Sequence, residues 1–230
     1  MSPIFPSGML TAVVGPNGSG KTTLMTSILG LLKADEGAVE IFGTPMRGRP
    51  REILRRVGYV PDVDDGLIGE LTAREFWDLH ALAHARVQGS VKEMRARAME
   101  LAAVLDFSPP PTRIASFSHG MVKKTQIVAG LLHCPDLAIF DEPRSSLDPI
   151  AMERFDQLIG ELLGDGVAVI LATHDLRYAE RIAERALIIA AGQVGFEGSM
   201  KEAVRGHGDL VRAFFSLVGR GREEYSPRYP

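Results

Sequence analysis

Cysteine is nearly missing from this chain: Cys134 is the only one in 230 residues. An internal disulfide framework is therefore excluded, and the composition fits a reducing compartment. Cys134 sits just ahead of the apolar stretch Leu137–Phe140 and is expected to be a small buried hydrophobe. A basic surplus is also lacking. The 26 Lys and Arg against 29 Asp and Glu leave a net charge of −3 and a sequence pI near 6.1, so no surface is expected that holds nucleic acid electrostatically. Long hydrophobic runs are absent too. VAVILA (Val167–Ala172) and ALIIAA (Ala186–Ala191) are strand-sized, well below the roughly 18–20 residues that span a bilayer. The opening MSPIFPSGML has no basic region followed by an apolar stretch, so no signal peptide is expected. These absences predict a soluble cytoplasmic protein that serves a membrane only through a partner.

What is present suffices for a sizeable core: 45% of the residues are apolar. The length fits one domain, or a core with a smaller inserted part. Met9–Gly15 is a β-rich run that stops at a Gly/Pro/Asn/Gly cluster, and Lys21–Leu32 then reads as a helix. GAVEIFG (Gly37–Gly43) reads as a short alternating strand, and RRVGYV as another. The middle is different. Leu71–Val87 and Ser90–Leu105 carry helical periodicity, and Ser90 with Glu93 has the spacing of a capping box. Three prolines at 109–111 end that section. Beyond them helices (Gly120–Leu132, Ile150–Leu163, Leu176–Glu184) alternate with the strands DLAIF and VAVILAT, and a β pair closes the pattern around ALIIAAGQVGFEG. Such alternation predicts an α/β fold with a mostly parallel sheet covered on both faces. The helical block, about residues 66–118, is expected to be an inserted subdomain, and the tail after Arg220 to be disordered.

GPNGSGKTT, Gly15 to Thr23, matches the G-x-x-x-x-G-K-[ST] phosphate loop between a strand and a helix. Gly15, Asn17, Gly18 and Gly20 let successive backbone N–H groups face phosphate oxygens, and the helix start adds its positive dipole end. Lys21 is placed to reach the β- and γ-phosphates, Thr22 to offer a hydroxyl to Mg²⁺, and Ser19 and Thr23 to contact phosphate. LAIFDE, Leu137 to Glu142, is a buried strand that delivers Asp141 at its carboxyl end, suited to hold Mg²⁺. Glu142 follows and is the expected general base for a water attacking the γ-phosphate, a role that contributes roughly 10²–10⁴-fold in rate.

Three further segments narrow the choice beyond kinases and GTPases. SFSHGMVKK (Ser116–Lys124) precedes a helix, SSLD (Ser145–Asp148) follows the acidic strand, and ATHD (Ala172–Asp175) ends the next strand. In this order the segments resemble the nucleotide-binding domain of ATP-binding cassette (ABC) proteins, over nearly all of residues 5–200. The resemblance implies a P-loop NTPase core (RecA-like, residues 1–65 and 119–200), an inserted helical subdomain, a truncated antiparallel β subdomain, and a C-terminal helix and tail over 201–230. It implies that Ser118 and Gly120 belong to the signature motif that closes over the γ-phosphate held by an opposite subunit. His119 fills a variable position of that motif. His174 matches the switch histidine that hydrogen-bonds the γ-phosphate, and Asp148 the aspartate that links two sites across a dimer. ATP and Mg²⁺ are the implied cofactors. The implied partners are a second ABC ATPase subunit, identical or paralogous, and a separate transmembrane permease on which the helical subdomain docks. The chain would then lie at the cytoplasmic face of the membrane. The signature reads FSHGM rather than LSGGQ, a variant that resembles single-domain ATPases of exporters.

Two departures from the family stand out. An adenine-stacking aromatic and strands of a small antiparallel sheet precede the stretch matching Phe5–Pro16 in the family. This chain starts too late to contain them, and Phe5 lies too near the phosphate-loop strand to substitute, so a late or altered start is expected. Loss of such stacking costs about 1–3 kcal/mol. The second departure is Asp62, where a strand reading VGYVP is usually followed by glutamine. A carboxylate there adds repulsion, since two unit charges about 5 Å apart at a dielectric near 20 repel by roughly 3 kcal/mol. It is also a better ligand for a hard cation than an amide. Asp62 is therefore expected in the Mg²⁺ shell, and Asp64 and Asp65 as solvated loop charge. Soluble ABC proteins acting on nucleic acid usually need a long coiled-coil insertion or tandem cassettes, and neither is seen. A small-molecule P-loop kinase would leave SHGM, SSLD and THD unexplained.

Overall fold

A computed structural model describes residues 3–62 and 66–222; Asp64, Asp65 and residues 223–230 of the expected disordered tail lie outside the described residues. The chain begins with strand β1 (Leu10–Val14) and helix α1 (Lys21–Ile28). A small antiparallel hairpin, β2 (Glu40–Ile41) with β3 (Thr44–Pro45), a one-turn helix α2 (Arg51–Leu54) and strand β4 (Val57–Val60) follow. Then come α3 (Ala73–Gln88), α4 (Val91–Val104), a 3-10 turn at Ile114–Ser116, and α5 (His119–Leu131). The remainder alternates: β5 (Leu137–Asp141), α6 (Pro149–Gly164), β6 (Ala168–Thr173), α7 (Leu176–Ile182), β7 (Arg185–Ala190), β8 (Gln193–Ser199), α8 (Met200–Val204) and α9 (Leu210–Arg222).

The six-stranded sheet has the order β4-β5-β6-β1-β7-β8, parallel except for β8, which runs antiparallel to β7. Every residue of β1, β5 and β6 is buried, as expected of strands covered on both faces. Their alternation separates two apolar layers. Leu10, Ala12 and Val14 of β1, with Ala138 and Phe140 of β5, pack on the side carrying α5, α6 and α7. Val13, Ile139 and Ile170 pack on the other side with Met25 and Ile28 of α1, Ile41 and Met46 of the hairpin region, and Ile53 of α2. Phe5 packs against this second layer, so it is not free to stack on a base.

The helical block is closed at its base. Thr72 pairs with Arg113, and the Ile114 and Ala115 amides donate to the Leu71 and Gly69 carbonyls at 2.8 and 3.0 Å. Capping boxes of Thr72 with Glu75 and of Ser90 with Glu93 start α3 and α4. Trp77 of α3 is buried and donates from Nε1 to the Thr125 carbonyl of α5 at 3.0 Å, which fixes the block against the sheet-covering helix. Helix α5 in turn lies flush on β4. A Cβ at Gly58 would meet the Gly130 carbonyl oxygen at 2.2 Å, and one at Gly130 would meet Val60 Cγ2 at 2.9 Å. Gly58 above all permits that approach, since its neighbour is backbone.

The structure corrects several sequence expectations. Cys134 is exposed, because it occupies a turn after α5 with φ of 52° rather than the strand that follows. Helix α1 stops at Ile28, four residues before Leu32, where Gly30 takes a positive φ. The strand expected over Gly37–Gly43 shrinks to Glu40–Ile41. The first two residues of the tail, Gly221 and Arg222, continue α9.

Candidate functional site

Register places the polar residues at one edge of the sheet. Val14 pairs with Thr173 and Asp141 with Ala172, so the loop after β1, the end of β5 and the end of β6 reach the same level. This is the carboxyl edge, where open α/β sheets bind ligands.

The loop from Gly15 to Gly20 is held tight against the sheet. A Cβ at Gly15 would lie 2.4 Å from the Ile189 carbonyl oxygen, and Gly18 and Gly20 have φ of 76° and 105°. Helix α1 then begins without a side-chain cap, whereas α3 to α8 each have one. The first N–H groups of α1 are thus open toward the loop, and an uncapped helix start is an anion site. Asn17, Gly18, Thr22 and Thr23 are exposed there. The Ser19 hydroxyl is buried with no hydrogen-bond partner among the described residues. Lys21 is buried and folds its ammonium back onto the loop, donating to the Gly15 and Pro16 carbonyls at 2.9 and 3.3 Å.

Thr22 Oγ1 donates to Asp141 Oδ2 at 2.6 Å. The other carboxylate oxygen of Asp141, Oδ1, is buried and has no hydrogen-bond partner among the described residues. Burial raises the Asp141 carboxyl above its usual range; the Thr22 hydroxyl opposes this, the Asp62 and Glu142 charges reinforce it, and Lys21 opposes it. A partly desolvated carboxylate with an unused oxygen beside a hydroxyl suits a hard cation. Asp62, at the end of β4, lines with Thr22, Asp141, Tyr59 and Phe76 a cavity of about 440 Å³ that opens between α1 and the helical block.

Glu142 follows Asp141 in a left-handed backbone conformation, φ 45°, uncommon for a non-glycine residue and a form of strain found at functional sites. Its carboxylate is the hub of three contacts. Oε1 lies 2.8 Å from His174 Nδ1 and 3.9 Å from Lys21 Nζ, and Oε2 accepts from Thr173 Oγ1 at 3.2 Å. Glu142 is largely buried while the His174 side chain is 63% exposed, so the histidine forms the solvent wall of the hub.

Ser118, Gly120 and Asp148 form a second group. Ser118 caps α5, accepting from the Met121 amide at 3.4 Å. Asp148 caps α6 through Ala151 and faces Lys124 at 3.8 Å. The Ala151 amide, first among its partners, lowers the Asp148 carboxyl below its usual range. A Cβ at Gly120 would meet the Ser146 carbonyl oxygen at 2.9 Å, so the SHGM and SSLD segments are pressed together. The structure therefore gathers the expected residues into two groups: Lys21, Thr22, Asp62, Asp141, Glu142 and His174 around the loop, and Ser118, Gly120 and Asp148 at the starts of α5 and α6.

Two residues escaped the sequence reading. Thr173 supports Glu142 as above and also accepts from the Asp175 amide at 3.1 Å; its place at the end of β6, just before His174, was the available signal. Lys123, 2% exposed, donates to the Pro61 and Asp62 carbonyls at 2.6 and 2.9 Å. Its only signal was a second lysine in SHGMVKK.

A glycine loop after β1, an uncapped helix behind it and an acid pair ending β5 of a parallel sheet define a P-loop nucleoside triphosphatase. The family model for ABC transporters matches residues 1–145. Nod factor export ATP-binding protein I of Burkholderia thailandensis is 31% identical over 227 residues, 96% of this chain and 72% of that protein. A solved structure of an ABC transporter ATP-binding subunit superposes with a TM-score of 0.85 at 30% identity, covering 93% of this chain and 90% of that one. The dimeric post-hydrolysis cassette MJ0796 bound to ADP and Pi gives 0.78 at 28% identity, covering 86% and 88%. This chain belongs to the ABC transporter family, as an ATP-binding subunit with ATPase activity. It spans between 55% and 72% of the length of several Nod factor export relatives. No helix among the described residues is long and apolar enough to cross a membrane.

Proposed function

We propose that this subunit binds ATP on the loop Gly15–Thr23, closes head-to-tail on a second ATP-binding subunit, and drives export through a separate permease at the cytoplasmic face of the membrane. Lys21 turns from the Gly15 and Pro16 carbonyls to the phosphates. Thr22, Asp141 and Asp62 would hold Mg²⁺, which when bound supplies charge neutralisation of the phosphate oxygens. Glu142 takes the proton of the attacking water, oriented by Thr173 and by His174, which also meets the γ-phosphate. The second group supports the two-subunit reading. Ser118 and Asp148 cap the starts of α5 and α6, and Gly120 lies against Ser146, a placement that suits recognition of a partner's γ-phosphate at the start of α5. Export is favoured by the Nod factor export relatives, and the net charge of −3 gives no support to a nucleic-acid substrate.

The observation that carries this reading is the Glu142 hub, with its carboxylate 2.8 Å from His174 and 3.9 Å from Lys21 beside the open start of α1. Glu142→Gln tests it. ATP binding should persist, turnover should fall roughly 10²–10⁴-fold, and light scattering should detect paired subunits only when ATP is added. Turnover retained within a factor of about three, a rate change worth well under 1 kcal/mol, would remove Glu142 from the chemistry.

A further inference from the structure

Lys123 is a buried cation that the reaction scheme above does not use. It lies on the second turn of α5, beyond Ser118 and Gly120, and is among the largest fully buried side chains. Burying an ammonium is costly unless it is well bonded. Among its bonds are two to the Pro61 and Asp62 carbonyls, at 2.6 and 2.9 Å, across more than 60 positions of sequence. Charge-assisted hydrogen bonds at such lengths are roughly twice as strong as neutral ones.

The location gives these bonds a purpose. Helix α5 is fixed against β4 at the Gly58–Gly130 contact. Seven residues back along α5 from Gly130 amount to about 10 Å, and four residues forward from Gly58, two in β4 and two beyond its end, to about 13 Å if extended. Lys123 therefore meets the chain just where β4 ends and Asp62 begins. Asp62 shares the cavity wall with Thr22 and Asp141, and its charge is felt by the Asp141 carboxyl. A loop residue leaving a strand has no ladder to hold it, and the two carbonyls gripped by Lys123 fix the backbone that aims its side chain.

We propose that Lys123 is a positioning residue for the cation site: it clamps the Pro61 and Asp62 carbonyls so that the Asp62 carboxylate stays beside Asp141 and Thr22. The clamp also joins the loop bearing Asp62 to the helix that begins at Ser118, so a displacement of α5 on subunit pairing is passed to the cation site of the same chain. This rests on the reading that Asp62 belongs to the Mg²⁺ shell.

A double-mutant cycle separates the two ideas. In a Glu142→Gln background, the free Mg²⁺ concentration that gives half-maximal ATP binding is measured for the parent, Asp62→Ala, Lys123→Met and the double variant. Loss of outer support for a metal ligand typically costs 10–100-fold in affinity, so Lys123→Met should raise the midpoint about tenfold. Asp62→Ala should raise it at least as much, and the double variant should match Asp62→Ala alone, because a clamp has nothing to position once the carboxylate is gone. ATP affinity in EDTA and the melting temperature of the nucleotide-free chain should not follow this pattern, which distinguishes positioning from a general structural loss. Should Lys123→Met fail to fold, Lys123→Gln, which keeps a neutral donor, should give a smaller and still non-additive rise. An unchanged midpoint in Asp62→Ala overturns the metal-shell reading and the clamp with it. A raised midpoint in Asp62→Ala with none in Lys123→Met, or effects that multiply in the double variant, overturns the clamp alone.

Discussion

Gly58→Ala should damage both fold and turnover, although Gly58 touches no nucleotide group. The added Cβ would lie 2.2 Å from the Gly130 carbonyl oxygen, more than 1 Å inside the ordinary contact distance of 3.4 Å, and that neighbour is backbone. Helix α5 must therefore move as a body. Overpacking of this kind costs about 1–3 kcal/mol, and the smaller backbone entropy loss of alanine returns only about 0.5–1 kcal/mol. The reciprocal Gly130→Ala is milder: its Cβ meets Val60 Cγ2 at 2.9 Å and the Tyr59 carbonyl at 3.2 Å, the side chain can rotate, and alanine in a helix gains about 1 kcal/mol over glycine. Urea unfolding should place Gly58→Ala about 1–2 kcal/mol below the wild type and Gly130→Ala near it. Because α5 begins at Ser118 and carries Lys123, Gly58→Ala should also depress turnover, by up to about 10²-fold for a 1 Å misplacement. Equal stability of Gly58→Ala and wild type, or the reverse order of the two variants, would refute the close packing of α5 on β4.

Thr173→Val removes the donor to Glu142 and the acceptor of the Asp175 amide; at about 0.5–1.5 kcal/mol for such a bond, steady-state ATPase should fall about two- to tenfold with ATP affinity unchanged, and a normal rate would show that Glu142 needs no such support. Acid should weaken the fold through the histidines between α3 and the end of α5. Burial, with the charges of His84 and (for His133) His80, holds His80 at about 4 and His133 at about 3. Unfolded histidine takes its proton near 6.5, so between those values the unfolded chain binds more protons. Stability is complete above about pH 6.5 and is lost as pH falls toward 4, by about 2–4 kcal/mol for the pair between pH 7 and 5. Urea melts at the two pH values should show a smaller loss in His133→Leu than in the wild type; an identical loss would assign the acid sensitivity elsewhere.

The parts legible in the sequence were those set by local chemistry. Leu137–Phe140 and Ala168–Thr173 are apolar throughout because both faces of their strands are covered, and a phosphate loop needs its glycines whatever surrounds it. Boundaries were harder. Leu31 and Leu32 look like a continued helix face, yet both are exposed beyond the Gly30 turn. Cys134 has the composition of a core residue and the backbone of a turn, and the turn decides. Lys123 and Thr173 were illegible for another reason. A lysine next to a lysine on a helix reads as solvated surface, and only the packing of α5 across the end of β4 turns one of them inward.

That packing also bears on the proposed cation site. Asp62, Asp141 and Glu142 bring three carboxylates to the edge proposed to receive a triphosphate, near the ammonium of Lys21 and the imidazole of His174, while the Lys123 ammonium is turned to the Pro61 and Asp62 carbonyls. Without nucleotide the charges are arranged among themselves: Lys21 is held by the Gly15 and Pro16 carbonyls near Glu142, and Glu142 by His174 and Thr173. A phosphate arriving at the start of α1 competes for Lys21, and each step Lys21 takes toward it removes a positive neighbour from Glu142 and Asp141. On the proposed reading Asp141 and Asp62 are then left to a divalent ion, and the carboxylate of Asp62 is a better ligand for such a hard cation than an amide at that position would be.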